Sequence, residues 1–263
     1  MSETEPVTNP TGGVDVTQWL ERVNRAAGRQ RFQVHDLGSC HGWPLLALTR
    51  SLTNAPQIYL STGVHGDEPA GPLAVLHWLE HGHLDPAINW RICPLLNPAG
   101  LAAGTRATAC GRDLNRDYAH FETAEATLHA DWLRHQPPPQ VMLSLHEDYE
   151  TQGVYVYEIN TSGAVSHAND LLAAAAEILP VEPAEEIDGH RVDAPGWILH
   201  PPEPDEPGWP EAIFVASLGP GVSYTVETPS RAALPKRIEA LTAMMRQLVT
   251  SVLDDADSIS GSI

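Results

Sequence analysis

The chain has 263 residues, 42% of them hydrophobic, enough to bury a sizeable core, and its formal net charge of −19 argues against a nucleic-acid partner. No apolar run approaches the roughly 20 residues that span a bilayer and no basic n-region precedes an apolar core, so the expectation is a soluble, cytoplasmic protein with no membrane or nucleic-acid partner. Cys40, Cys93 and Cys110 are odd in number and lack paired metal spacing, which fits a reducing compartment.

Residues 1–12 are polar and are expected to form a flexible N-terminus. Strand-like and helix-like stretches then alternate, predicting one α/β domain over 13–253 with a mixed, largely parallel sheet flanked by helices. Val16 to Ala27 reads as its first helix and Leu234 to Leu253 as its closing amphipathic helix, followed by an acidic tail over 254–263.

The first chemistry lies after the apolar run Gln57 to Val64, where His65 is followed three residues later by Glu68. An imidazole and a carboxylate released at the end of a buried strand can hold two positions around a zinc ion, leaving room for a third ligand and a water. His-x-x-Glu occurs twice more, at His77 and Glu80 and at His200 and Glu203. His77 and Glu80 sit within the periodic stretch Pro72 to Glu80, where a polar pair on a solvated helix face is the ordinary reading. His200 and Glu203 enclose Pro201-Pro202 in a loop. Only the first pair has a strand before it, a helix after it, and glycines (Gly63, Gly66, Gly71) for the sharp turn between them.

Next come Asn97 to Arg106 and Gly111 to Tyr118, glycine-punctuated segments carrying Arg106, Arg112 and Arg116 in a chain poor in cations. Two readings compete: a local positive site for an anionic group, since guanidinium binds carboxylate in two-pronged geometry, or ion pairing with Asp113 and Asp117. Gln140 to His146 is another short apolar run ending on a histidine, and strand-end convergence makes His146 the third ligand, with Glu147 and Asp148 as competing carboxylates. Val222 to Glu227 alternates like a strand, and a carboxylate at its end can take a proton from a water activated by the metal.

His65-Gly-Asp-Glu68, Asn97-Pro-Ala-Gly100, Arg106, Asp113-Leu-Asn-Arg116, His146 and Tyr224-Thr-Val-Glu227 together resemble the zinc carboxypeptidase (M14) family in order and rough spacing, nearest to the compact bacterial branch that includes murein peptide amidases. The resemblance implies a zinc-carboxypeptidase-like fold and one zinc ion held by His65, Glu68 and His146. It implies Glu227 as general base and proton donor to the leaving amine, Arg106 as oxyanion stabiliser, and Asn115 and Arg116 as binders of the substrate's terminal carboxylate. The implied substrate is a small peptide cleaved next to a free carboxylate. The succinylglutamate desuccinylase and aspartoacylase branch shares the His-x-x-Glu and Asp-Leu-Asn-Arg signatures, which makes an N-acyl amino acid the alternative substrate. That branch usually carries a further β-rich domain, whereas only a short segment follows Glu227 here. The presence of ligands, base and oxyanion arginine together argues against a non-catalytic metal-binding protein. One departure stands out: no tyrosine lies between Tyr157 and Tyr224, where digestive members of the family place a mobile one, and the Trp- and Pro-rich segment 195–210 is expected to form that wall instead.

Overall fold

The first helix starts where Asp15 accepts a hydrogen bond from the Gln18 amide, and α1 (Val16–Arg29) buries Val16, Trp19, Leu20, Val23, Ala26 and Ala27 at helical spacing. In a computed structural model the described residues are 7, 13–52, 54–200 and 208–260, with the side chains of 259 and 260 excepted. The chain continues through β1 (Gln33–Cys40), β2 (Trp43–Arg50), β3 (Gln57–Thr62), α2 (Ala70–His81), β4 (Asn89–Cys93), α3 (Pro98–Ala103) and α4 (Ala124–Arg134). It then runs through β5 (Val141–Asp148), β6 (Tyr155–Asn160), α5 (Ala168–Ala176), the short strands β7 (Glu186–Ile187), β8 (His190–Arg191) and β9 (Trp197–Leu199), α6 (Glu211–Leu218), β10 (Val222–Pro229) and α7 (Leu234–Ser260).

Eight strands form one sheet in the order β1-β2-β4-β3-β5-β10-β6-β9, with β7 and β8 pairing separately. The central four, β4, β3, β5 and β10, are parallel, while β1, β2 and β6 join antiparallel. Alternate residues of the central strands serve opposite faces. Ile58, Leu60, Leu143 and Leu145 enter the larger core with Trp19, Trp78, Leu241 and Met244 from α1, α2 and α7. Tyr59 and Met142 enter a second cluster with Ala126, Ala130 and Phe214 from α4 and α6. Helices therefore cover both faces, which explains why β3 and β5 read as nearly continuous apolar runs.

The expected acidic tail over 254–263 is corrected in part, because α7 continues through residues 254–260. No glycine or proline interrupts that stretch, Val252 still packs, and Asp255 meets His167 Nε2 at 3.0 Å. The expected flexible segment 1–12 lies outside the described residues apart from Val7, which is buried and accepts a backbone hydrogen bond from Asp15. Among the described residues no helix is long and apolar enough to cross a membrane.

Candidate active site

The loop after β3 is shaped by close approach. Gly63 has a φ of 64°, and a Cβ there would lie 2.6 Å from the Leu95 side chain. Gly66 packs so tightly on α3 that a Cβ would fall 2.0 Å from the Gly100 carbonyl carbon. Asn97 holds this contact together: its side chain caps α3 through the Gly100 amide and donates to the Arg106 carbonyl, while its own amide bonds Gly63. His65, Glu68 and Arg106 are thereby brought to one place.

His65 Nδ1 lies 2.5 Å from Glu68 Oε1, and His146 Nδ1 lies 3.0 Å from Glu68 Oε2. His65, Glu68 and His146 are the one His, Cys, Asp or Glu group among the described residues whose ligand atoms all fall within 4.8 Å of one another, and all three are buried. His146 Nδ1 has no hydrogen bond although it is buried, the condition of an atom whose lone pair belongs to a metal. His65 Nε2 meets Asp113 Oδ1 at 3.2 Å, which orients the ring so that Nδ1 faces the ligand group. Two imidazoles and a carboxylate fit a zinc-type ion with an open position.

The charges agree. Burial alone would raise the Glu68 pKa, but His146 and His65 outweigh it and hold the carboxyl down to about 2. Burial opposes protonation of both imidazoles, yet Glu68 raises each of them, aided by Asp113 at His65 and by Glu227 at His146. A divalent cation would replace the positive charge that this cluster otherwise takes as protons.

Strand register places the other residues. In β10, Glu227 lies beside His146 of β5 on one side and Tyr155 of β6 on the other. Burial pushes the Glu227 carboxyl up to about 8, with Glu68 and Asp148 adding to the rise and His146 opposing it. One pleat repeat back, Ser61, Ser144, Thr225 and Tyr157 form the next row across the sheet. A cavity of about 710 Å³ opens over both rows and is lined by His65, Glu68, Arg106, Asn115, Arg116, His146 and Glu227, so every candidate site residue faces one space.

Arg106 pairs with Asp113 at 3.1 Å and reaches within 3.7 Å of Glu68, so for this arginine ion pairing and placement at the site hold together. Arg116 is exposed and donates to the Asn115 carbonyl, whereas Arg112 pairs with Glu122 away from the ligands. Among the described residues no arginine pairs with Asp117; it accepts from the Glu122 and Thr123 amides and the Thr123 hydroxyl. The competing carboxylates are engaged elsewhere: Glu147 with Arg237 and the Ala70 amide, Asp148 with Tyr155 and the Glu150 amide. Of the other His-x-x-Glu pairs, Glu80 binds Arg22 and His77 lies in tilted ring contact with His81, while Glu203 lies outside the described residues. Segment 195–210 gives His200 and Pro210 to the cavity, but Trp197 and Trp209 pack into the two cores, and 201–207 lie outside the described residues.

Sequence reasoning missed Glu211, at the start of α6. It is fully buried at the cavity wall and accepts from Tyr59 Oη at 2.6 Å and Ser61 Oγ at 2.8 Å. Burial raises its pKa. The Pro-Glu step before an apolar helix was its faint signal.

Fold and site together define an α/β chain whose His-Glu-His group is able to hold a metal. Residues 54–163 match the family model of the succinylglutamate desuccinylase/aspartoacylase catalytic domain. The chain is similar to a candidate metallopeptidase of Shewanella amazonensis, with 26% identity, a TM-score of 0.78, and coverage of 90% of this chain and 93% of that one. It shares its fold with a candidate metallopeptidase of Shewanella baltica, at 23% identity, TM-score 0.80 and coverage of 90% and 92%. The fold is also that of a Pseudomonas aeruginosa metallo-carboxypeptidase solved with (2-guanidinoethylmercapto)succinic acid, at 16% identity, TM-score 0.64 and coverage of 91% and 69%. No curated protein sequence matches. The resemblance read in the sequence holds on both sides, family model and fold.

Proposed function

We propose that the protein is a zinc-dependent metallocarboxypeptidase or amidase that hydrolyses an amide bond next to a free carboxylate in a small peptide. The observation that carries this reading is the orphaned, buried His146 Nδ1 turned toward Glu68 beside Glu227, in a cavity that also holds Arg106 and Arg116. His65, Glu68 and His146 would hold one ion, which when bound supplies Lewis-acid polarisation and a more acidic water. Glu227, whose carboxyl burial pushes up to about 8, takes the proton of the attacking water and hands it to the leaving amine. Arg106 faces the oxyanion that develops on the scissile carbonyl. Asn115 and Arg116 grip the terminal carboxylate, which fixes the bond presented to Glu227. The side chain of the leaving residue descends past Ser144, Thr225 and Tyr157 toward Glu211. Among the described residues no lysine or arginine pairs with Glu211, so this wall favours a polar or cationic side chain.

The catalytic-domain match over residues 54–163 favours a second reading, an N-acyl amino acid deacylase. A mass-spectrometric screen of the metal-loaded protein against dipeptides, murein peptides and N-acyl amino acids separates the two. Release of C-terminal amino acids, mostly lost when the peptide C-terminus is amidated, supports the first. Release of acetate or succinate with every peptide left intact overturns it.

A further inference from the structure

We infer that Arg237, on the closing helix α7, is a positioning residue for the metal ligands and acts on them through Glu147. The inference rests on the metal-site reading above. Arg237 Nη1 pairs with Glu147 Oε2, and both side chains are withdrawn from solvent, that of Glu147 completely. Glu147 is joined to the ligands in three ways. It follows His146 directly in β5. Its backbone amide donates to Glu68 Oε2 at 3.2 Å. Its Oε1 accepts from the Ala70 amide at 2.6 Å, and Ala70 is the first residue of α2, two positions after Glu68.

That last bond replaces a missing cap. Pro69, at the N-cap of α2, makes no side-chain cap hydrogen bond, so the first turn depends on Glu147 for its orphan amide and for a negative charge at the positive end of the helix dipole. A fully buried carboxylate is held in place by a partner of opposite charge, and Arg237 supplies it. One side chain from the far end of the chain thus sets the spacing between two strand-end junctions, one carrying Glu68 and the other carrying His146. Sequence position hides this, because Arg237 lies outside every ligand-bearing segment.

Metal affinity is the direct readout. Chelator competition with Zn²⁺ compares wild type, R237K and R237Q, alongside the Co²⁺ visible spectrum and the melting temperature of each metal-free protein. R237Q is expected to weaken Zn²⁺ binding about 10–100-fold and to change the Co²⁺ spectrum, as loss of a group that orients ligands does. R237K, which keeps the charge, is expected to recover most of the affinity. A folded R237Q that binds Zn²⁺ as wild type does overturns the inference while leaving the metal-site reading intact. Failure of wild type itself to bind any metal overturns both. Should R237Q not fold, E147Q/R237Q replaces it: removing both charges avoids the stranded carboxylate, and wild-type Zn²⁺ affinity in that variant overturns the inference.

Discussion

His146 Nδ1 and Glu68 Oε2 lie 3.0 Å apart, yet the imidazole nitrogen makes no hydrogen bond. A buried imidazole nitrogen beside a carboxylate, with no hydrogen bond of its own, is a donor left available to an ion. A metal-binding prediction follows from it. The purified protein should contain about one zinc per chain by elemental analysis, and H65A or H146A should lose nearly all of it. H77A should keep its metal, because His77 contacts His81 at the end of α2 and is not in the ligand group. Zinc lost from H77A but retained in H65A would mean that another His-x-x-Glu pair holds the ion.

Glu227 is expected to carry both proton transfers. E227Q should keep zinc and fold while turnover falls by about 10²–10⁴-fold, since an amide cannot accept the water's proton. Steady-state kinetics beside elemental analysis checks this, and near-normal turnover would move the base elsewhere.

The same residue predicts a pH effect on the metal-free protein. Its pKa is raised from 4.5 to about 8 in the folded state, so below pH 4.5 the group is protonated folded and unfolded alike and its favourable contribution is fully present. Between pH 4.5 and about 8 the unfolded carboxyl ionises while the folded one resists, and that contribution is lost. Relative to E227Q, the metal-free wild type should therefore lose stability across this window. Melting curves of both proteins at several pH values test the sign. Parallel curves would show that Glu227 titrates normally.

Arg116 should read the free carboxylate. R116A is expected to lower kcat/KM about 10–100-fold on a peptide with a free C-terminus, the loss of one charge-assisted contact, and to change nothing on the C-terminally amidated peptide. Equal losses on both substrates would assign Arg116 a structural role.

Glu211 should select the leaving side chain. E211Q keeps an acceptor for Tyr59 and Ser61 but removes the charge, so kcat/KM for peptides ending in lysine or arginine should fall about tenfold relative to those ending in alanine. Competition assays with paired peptides measure the ratio, and an unchanged ratio removes Glu211 from specificity.

The sequence by itself determined the α/β class, the first helix from Val16, the two strand-end histidines and the segment carrying Arg106 and Arg116. These are local signals: apolar periodicity and glycines at a sharp strand-to-helix turn. It favoured His146 over its neighbour Glu147 in the same strand without showing what occupies Glu147, because that depends on which groups the rest of the fold brings to each. Arg237 and Ala70 claim Glu147, whereas His146 meets Glu68 and lies beside Glu227. Glu211 was hidden for the same reason: only the packing of α6 over Ser61 and Ser144 turns a helix-start glutamate into a cavity wall. The end of α7 was misplaced because charged residues look like a tail until a partner such as His167 lies beside them. Spacing along the chain carries the strand ends, whereas contacts between residues distant in sequence exist only once the sheet order and helix packing are set.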